Sequence, residues 1–518
     1  MIRVVVVGNG MVGARFVEEL ARHRDLFEIA VLGAEEYEPY NRVLLSEVVA
    51  GRVPVASLTL PVTALDGVTV ARGLEVAWID RDARVVTATD GSHVRYDVLV
   101  LATGARARWP DIDGLDPGRP PAGVHALRSL DDAREIVAAT VNARHAVVLG
   151  AGVLGLEVAC GLAGRGLHVT VVHRGGHVMD RQLGSEPAAA VAHGLDLLHI
   201  EQRVGARTSA LHVVDGQVRA VVLEDGARIA TDLLVVAAGT VPESELAARA
   251  GLVTRRGVVV GADGATSDPA IYAIGDCAEP PEGGSGLIAQ GWDQARRLAG
   301  LLAVGARSAP GPAADGAASA DVSAAADLTA DAGPSGGVDV VRLKAHGLEV
   351  VTMGVRGGGP GRRAVQLSDP ASGRYVEVVV AGGVVVGATC VGAGVVAADL
   401  TTAYTRRTPA PSDPAHLLVR APQGSSAAGE PSATLMPDRA VVCRCNGVTK
   451  RDLVASWRAG ARTVADVERA TRATTGCGGC ADAVCGLLEW LAPGAPGGVT
   501  SDVGPTAPLH AVRGAVGP

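Results

Sequence analysis

The sequence predicts an α/β protein with two dinucleotide-binding units, followed by an α+β domain and a small helical domain. Two glycine-rich fingerprints about 140 residues apart, Gly8–Gly13 and Gly150–Gly155, predict the two units. Four cysteines in two close pairs, within residues 443–480, predict a metal centre in the helical domain. At 518 residues the chain is long enough for roughly two to four domains.

The first unit begins with the apolar run Val4–Val7, which is typical of a parallel strand buried on both faces. The turn that follows consists of Gly8, Asn9, Gly10, Met11, Val12 and Gly13. A helical stretch and a second strand, Ile29–Leu32, then lead to Glu35. This order predicts a pyrophosphate at the helix N-terminus and ribose hydroxyls on Glu35, with Glu36 the less suitable acid. The alternative is a glycine turn in a nucleotide-free α/β unit.

The second unit repeats this pattern between the strands Ala146–Leu149 and His168–Val172. Its candidate cofactor-binding residues are Gly150, Gly152, Val153, Leu154, Gly155 and Glu157. The acid that should close the unit is replaced by His173 and Arg174. An arginine can pair with a 2′-phosphate and favour NADPH, whereas a carboxylate favours NADH, so the choice stays open. Two fingerprints in one chain imply two dinucleotides, usually a flavin and a nicotinamide.

Three further strand-like runs end in glycine turns, at Thr103-Gly104, at Gly239 and at Gly275-Asp276. The five motifs, in this order, resemble the two-dinucleotide-binding flavoprotein reductases of the glutathione reductase type over residues 1–300. The resemblance implies FAD and NAD(P)H as cofactors. It also implies that Thr103-Gly104 lies near the flavin pyrophosphate and that Asp276 binds the ribityl chain.

The chain departs from the dithiol members of that superfamily, because no cysteine precedes Cys160. A reduced flavin would therefore have no neighbouring disulfide to reduce. The segment Tyr40–Ser46 occupies the corresponding region and resembles a segment of assimilatory NAD(P)H nitrite reductases. That resemblance implies that Arg42 lies near the flavin, as a catalytic or cofactor-binding residue. A solvated arginine at a helix start is the alternative.

Cys443, Cys445, Cys477 and Cys480 are the candidate metal ligands. Four thiolates suit a [2Fe-2S] cluster, while a structural zinc ion is the rival and unliganded thiols are a third interpretation. Capping residues predict helices that begin after Thr449 and Thr463, and a third helix over 481–491. The region resembles the ferredoxin-like domain named for bacterioferritin-associated ferredoxin, which implies [2Fe-2S]. Cys485 is predicted to be buried packing.

Composition and strand-like runs complete the expected organisation. The predicted parts are an FAD-binding domain (1–120 and 240–305), an NAD(P)H-binding domain (121–239), a disordered insertion (306–337), a domain with an antiparallel sheet (338–409), a linker (410–439), the cluster domain (440–492) and a disordered tail (493–518). The domain over 338–409 resembles the C-terminal interface domain of these reductases.

The net charge of −8 argues against a nucleic-acid partner, and no apolar stretch reaches membrane-spanning length. The strand that starts directly after Met1 leaves no room for a signal peptide, and eight cysteines are too few for a disulfide scaffold. We therefore expect a cytoplasmic protein.

The whole chain resembles the N-terminal part of the large subunit of assimilatory nitrite reductases and the electron-transfer subunit of assimilatory nitrate reductases. This implies a separate catalytic subunit for nitrate or nitrite as partner, and it allows a homodimer. No second cysteine set follows for a sirohaem centre, so nitrite reduction within the chain is not expected. The alternatives are an iron-mobilising reductase that docks on iron storage protein, and a generic ferredoxin or rubredoxin reductase.

Overall fold

The computed structural model describes residues 1–60, 67–308, 339–369, 371–418, 436–443, 446–475 and 480–492. The chain divides into two units, residues 1–424 and 425–518. Among the described residues, no helix is long and apolar enough to cross a membrane.

The nucleotide-binding part of the first unit contains twenty strands and seven helices within the described residues. Residues 1–107 form β1 (Ile2–Val7), α1 (Met11–Ala21), β2 (Phe27–Gly33), α2 (Leu45–Val49), β3 (Val68–Arg72), β4 (Val76–Asp80), β5 (Val85–Ala88), β6 (His93–Arg95), β7 (Val98–Leu101) and β8 (Ala105–Ala107). Residues 124–242 form β9 (Val124–Ala126), α3 (Leu130–Thr140), β10 (His145–Leu149), α4 (Val153–Gly164), β11 (His168–His173), α5 (Ser185–Leu197), β12 (Ile200–Val204), β13 (Thr208–Val214), β14 (Gln217–Leu223), β15 (Arg228–Ala230), β16 (Leu233–Val236) and β17 (Thr240–Pro242). Residues 245–308 form α6 (Glu245–Arg249), β18 (Val258–Val259), β19 (Ile271–Ala273), β20 (Ala278–Glu279) and α7 (Ile288–Ser308).

Two five-stranded parallel sheets form the two nucleotide-binding units, in the orders β19-β7-β1-β2-β3 and β12-β11-β10-β16-β9. In each sheet the strand before the glycine fingerprint is central, so that β1 lies between β2 and β7 and β10 lies between β11 and β16. The strand order reverses there, which opens a crevice at the carboxyl ends of the strands. The predicted α/β class is confirmed.

The central strand β1 is buried because its apolar residues face packed layers on both sides of the sheet. Val4 and Val6 are fully buried and pack with Phe16 and Leu20 of α1. Val5 and Val7 belong to a second core on the opposite face. A continuous apolar run is therefore the pattern that this strand requires. The antiparallel pair β8 and β17 joins the two nucleotide-binding units.

The third part of the first unit consists of β21 (Val341–Ala345), β22 (Leu348–Gly354), β23 (Arg363–Asp369), β24 (Arg374–Ala381), β25 (Val384–Val391) and α8 (Gly394–Arg406). Its strands form an antiparallel sheet in the order β21-β22-β25-β24-β23, as the sequence predicts. The sequence did not predict β23. This edge strand is only half-buried on one face, so it lacks the apolar run that marks its neighbours.

Two boundaries differ from the sequence prediction. Helix α7 continues to Ser308, so residues 306–308 of the predicted insertion are helical, while 309–338 lie outside the described residues. Residues 414–417 of the predicted linker form a 3₁₀ turn, and Leu418 is buried against the core of the antiparallel sheet. The predicted tail, 493–518, lies outside the described residues.

The second unit contains β26 (Val441–Cys443), β27 (Val448–Thr449), α9 (Lys450–Arg458), α10 (Val464–Thr471) and α11 (Ala481–Leu491). The three predicted helices are confirmed. Thr449 and Thr463 each cap a helix through a reciprocal bond with the aspartate three residues later, which satisfies N–H groups that a helix start leaves unpaired. The apolar faces of the three helices enclose a small core.

Candidate cofactor sites

The first glycine turn has no room for side chains. Gly8 has φ +112°, and a Cβ there would lie 2.2 Å from the carbonyl oxygen of Ala102. A Cβ at Gly13 would lie 2.2 Å from the carbonyl oxygen of Gly8. Gly10 begins α1 without a side-chain cap, so the first N–H groups of the helix are available to an anion. The turn therefore fits a closely approaching pyrophosphate.

Asn9 supplies a second sign of a ligand at this turn. Its side-chain nitrogen Nδ2 is buried and has no hydrogen-bond partner within the described part of the chain. Because an unpaired buried amide costs free energy, such a group indicates a partner that the described part of the chain does not provide. A dinucleotide oxygen at the turn would supply that acceptor.

The structure brings Glu35 and Arg42 together, although the sequence assigned them separate roles. The Arg42 guanidinium pairs with Glu35 and lies 4.6 Å from the centroid of the Tyr40 ring. The Tyr40 hydroxyl donates to the second carboxylate oxygen of Glu35 at 2.8 Å. Arg42 Nε lies only 4.0 Å from the position of a Cβ on Gly10. Arg42 thus lies over the glycine turn, where a guanidinium can bind a pyrophosphate.

Asp276 follows β19 at the same edge of the sheet and has a partner that sequence reasoning missed. Arg128 donates from its guanidinium to Asp276 at 2.7 Å and from Nε to the carbonyl oxygen of Ala105 at 2.8 Å. Arg128 lies directly before the helix cap Ser129, within the stretch predicted to bind NAD(P)H. In the sequence, Arg128 is marked only by its place before a helix cap, so nothing there connects it with Asp276 and the first site.

The neighbouring turn, predicted to lie near the flavin pyrophosphate, is also held in place. The Thr103 hydroxyl donates to the carbonyl oxygen of Glu243 at 2.7 Å, and Gly104 has φ +75°. The N–H of Gly275 donates to the side chain of Gln294 at 2.8 Å. The carboxyl ends of β1, β7 and β19 thus meet at the crevice beside the first glycine turn.

The second glycine turn repeats the geometry of the first. Gly150 has φ +116°, and a Cβ there would lie 2.4 Å from the carbonyl oxygen of Ala237. A Cβ at Gly155 would lie 1.9 Å from the carbonyl oxygen of Gly150. A Cβ at Gly152 would meet no described atom within 4 Å, so this glycine leaves open space rather than avoiding a collision. That space suits the second dinucleotide.

At the end of β11, where the sequence lacks the expected acid, an acidic side chain lies close to His173. His173 Nδ1 accepts a hydrogen bond from the N–H of Ala151 at 3.4 Å, and its Nε2 lies 3.4 Å from the carboxylate of Asp180. Burial lowers the pKa of His173, although Asp180 opposes the shift. Arg174 is exposed beside it. The carboxylate of Asp180 and the cation of Arg174 therefore both lie near the expected ribose position.

Glu157, a predicted cofactor-binding residue, ties three parts of the first unit together. Its carboxylate is 3% exposed and accepts a hydrogen bond from the Ser46 hydroxyl at 2.6 Å. The N–H and Nζ of Lys344 donate to the other oxygen at 2.9 and 3.0 Å. The carboxylate is thus satisfied by the protein itself, which makes it a junction between α2, α4 and β21. Its role toward a nicotinamide stays a prediction.

Two of the four predicted metal ligands are described, and they meet in the core of the second unit. Cys443 ends β26 and is 2% exposed, and Cys480 precedes α11 and is 8% exposed. A hydrogen bond with Cys480 lowers the pKa of the Cys443 thiol to about 6, although burial opposes the shift. A low pKa favours the thiolate, which is the form that binds iron or zinc. Cys445 and Cys477 lie outside the described residues.

Hydrogen-bond donors surround these two sulfurs. Asn446 Nδ2 lies 3.7 Å from Cys443 Sγ, and the N–H of Thr474 donates to Cys480 Sγ at 3.2 Å. Donors aimed at sulfur are the surroundings that cluster thiolates require, so the residues present fit a [2Fe-2S] cluster. Cys485 is exposed on α11, so the prediction that it is buried was wrong.

Comparisons with known proteins agree with this geometry. Residues 2–297 match the family described as pyridine nucleotide-disulphide oxidoreductase, and residues 441–490 match the BFD-like [2Fe-2S] binding domain. The chain is 33% identical over 499 residues to the nitrite reductase [NAD(P)H] large subunit of Klebsiella oxytoca, covering 94% of this chain and 49% of the relative. It is 29% identical to the assimilatory nitrate reductase electron transfer subunit of Bacillus subtilis, covering 94% of this chain and 60% of the relative.

A solved structure supports the same fold. The putidaredoxin reductase–putidaredoxin complex aligns with a TM-score of 0.66 at 26% identity, covering 80% of this chain and 95% of that chain. The chain spans about half the length of the nitrite reductase relative. The resemblance predicted from the motifs is confirmed, and with it FAD, NAD(P)H and [2Fe-2S] as cofactors. The chain therefore belongs to the pyridine nucleotide-disulphide oxidoreductase family, with a BFD-like [2Fe-2S] binding domain over residues 441–490.

Proposed function

We propose that this protein is an NAD(P)H-dependent oxidoreductase that passes electrons to a separate catalytic subunit of assimilatory nitrate or nitrite reduction. The observation that supports it most is the combination, in one chain, of two glycine turns that fit dinucleotides and a pair of buried thiols that fit a cluster. When bound, FAD accepts a hydride from NAD(P)H and supplies single electrons to [2Fe-2S].

The proposal assigns a role to each group of residues. The first turn, with Asn9 and Arg42, binds the FAD pyrophosphate, Glu35 binds its ribose, and Asp276, oriented by Arg128, binds the ribityl chain. The second turn binds the pyrophosphate of NAD(P)H. The cluster ligands are Cys443, Cys445, Cys477 and Cys480. The proposal gives Arg42 a binding role, which the 4.0 Å between its Nε and the position of a Cβ on Gly10 supports.

The proposal is tested by the choice of electron acceptor. We expect the purified chain to reduce ferricyanide with NAD(P)H but to turn over nitrite and nitrate negligibly. Reducing nitrite to ammonia takes several electrons at a catalytic metal centre, whereas the proposed cofactors of this chain are a flavin and a one-electron cluster. Adding the cognate catalytic subunit should restore NAD(P)H-dependent turnover. Rapid nitrite consumption by the purified chain would contradict the assignment.

The BFD-like match favours one alternative, an iron-mobilising reductase that acts on iron storage protein. Ferric storage cores, offered as acceptor in the same assay, separate the two functions. If they are reduced faster than the nitrate or nitrite partner, the alternative is correct.

The proposal also includes a homodimer, to be checked by light scattering. It includes a cytoplasmic location as well, because eight cysteines in 518 residues are too few for the disulfide scaffold of a small secreted protein.

Nicotinamide preference depends on Arg174. We expect Arg174→Ala to raise KM for NADPH about tenfold and to change KM for NADH little, since a lost charge-assisted hydrogen bond to a 2′-phosphate costs about 1.5 kcal/mol or more. Steady-state kinetics with both coenzymes measures this. Arg219→Ala, at an arginine on β14 that pairs only with Gln217 among the described side chains, is the control. Equal changes for both coenzymes would exclude a 2′-phosphate contact.

A further inference from the structure

The two described cluster thiols both accept hydrogen bonds from nearby donors. At Cys443 the donors are the side-chain amide of Asn446, with Nδ2 3.7 Å from Sγ, and the backbone N–H groups of Asn446 and Thr474. At Cys480 the donor is the backbone N–H of Thr474, with N 3.2 Å from Sγ. Asn446 is 9% exposed and Thr474 is 8% exposed, so water competes little for either donor.

The amide of Asn446 is fixed by contacts on both sides of the turn that follows α10. Its Nδ2 is also within hydrogen-bond distance of the carbonyl oxygen of Arg472 and, at 3.2 Å, of the hydroxyl of Thr475, so its two N–H hydrogens are shared among three acceptors. These bonds connect the stretch after Cys443 with the stretch before Cys480. The amide therefore cannot rotate away from the sulfur without breaking bonds to the turn.

The N–H of Thr474 is aimed by an unusual backbone conformation. Thr474 has φ +71° and Arg472 has φ +62°, both in the left-handed region that residues with a Cβ seldom adopt. The Thr474 hydroxyl is held by the carboxylate of Glu468 on α10. The turn is thus held in a conformation that directs a peptide N–H at Cys480.

We propose that Asn446 and the peptide N–H of Thr474 are positioning groups that raise the reduction potential of the [2Fe-2S] cluster. An added electron increases the negative charge on the cluster sulfurs, so N–H donors stabilise the reduced state more than the oxidised state. Outer hydrogen bonds of this kind tune metal centres in general. The inference rests on the proposed function, because it concerns the cluster through which electrons leave the chain.

The test compares variants of the full-length protein by electron paramagnetic resonance at controlled potentials. Asn446→Leu keeps a similar side-chain volume and the backbone N–H but has no side-chain donor. We expect its cluster to remain and the equilibrium constant for one-electron reduction to fall about tenfold, which corresponds to about 59 mV. An intact cluster signal with an unchanged potential overturns the inference.

A control variant separates hydrogen bonding to sulfur from the structure of the turn. Thr475→Val removes one bond of Asn446 but leaves its contact with Cys443. It should keep the potential of the unmodified protein. A shift in Thr475→Val as large as that in Asn446→Leu overturns the inference, since it assigns the effect to the turn.

A further measurement needs no substitution and covers the case in which Asn446→Leu loses the cluster. Asn446 is the only asparagine in residues 425–518. Protein labelled with ¹⁵N only at the side-chain amide nitrogen of asparagine should therefore show one ¹⁵N coupling to the reduced cluster, and the lack of any coupling overturns the inference. If the unmodified protein has no two-iron signal at all, the proposed function fails instead, so the two failures are distinguishable.

Discussion

Replacing Cys443 by serine is expected to abolish the cluster spectrum while FAD stays bound. Cys443 is 2% exposed in the core of the second unit, whereas the glycine turns belong to the first unit. A free serine hydroxyl is not deprotonated near neutral pH, so it binds iron much less well than a thiolate does. NAD(P)H should still reduce the flavin in a single turnover. Steady-state reduction of a one-electron acceptor protein should fall at least about tenfold, which is equivalent to about 1.4 kcal/mol or more.

Stopped-flow absorbance, iron and zinc analysis, and steady-state kinetics measure these outcomes. Cys485→Ser is the matched control, because this thiol is exposed on α11 of the same unit and should keep cluster and turnover unchanged. Stoichiometric zinc without iron in the unmodified, anaerobically prepared protein would contradict the cluster assignment. Unchanged partner reduction by Cys443→Ser would show that electrons bypass the second unit.

Gly13→Ala is expected to lose most of the bound FAD, about tenfold or more in affinity. The added Cβ would lie 2.2 Å from the carbonyl oxygen of Gly8. Because this oxygen belongs to the backbone, no side-chain rotation can relieve the collision. Either α1 or the turn must shift, at a cost of about 1–3 kcal/mol, and the first N–H groups of α1 move with it. A loss of 1.4 kcal/mol already corresponds to about tenfold in affinity.

FAD content after purification and the thermal unfolding midpoint with and without added FAD measure this effect. Gly164→Ala is the matched control, since a Cβ there, at the exposed end of α4, would meet no described atom within 4 Å. It should retain FAD and stability. Full FAD content in Gly13→Ala would mean that the first turn does not hold the flavin.

The sequence predicted the elements whose signals are local. Val4–Val7 could be assigned to a buried parallel strand because each residue contacts apolar neighbours on one of two packed faces. The glycines at positions 8 and 13 could be assigned to a tight turn, since a Cβ at either would collide with backbone. Thr449 and Thr463 marked helix starts because a cap and its partner lie three residues apart.

Other features depend on residues that are distant in the chain, and only the tertiary structure decided them. Glu157 looked like a cofactor residue after a glycine fingerprint, but Ser46 and Lys344, from two other parts of the unit, satisfy its carboxylate. Arg128 gave no signal for the first site, because its partner Asp276 follows a different strand. Such pairings arise when separate strand ends meet at one edge of a sheet, and no local pattern records them.

The same distinction holds in the second unit. The spacing of the cysteines by itself predicted a metal centre, because ligand type and ligand pairing are properties of the chain, and the match to the BFD-like [2Fe-2S] binding domain agrees with it. The donors aimed at the sulfurs were decided by the fold, since Asn446 and Thr474 converge only when the turn after α10 closes on β26. The prediction of the ligands thus rests on local properties of this sequence. The surroundings that tune the ligands are created by packing between distant segments.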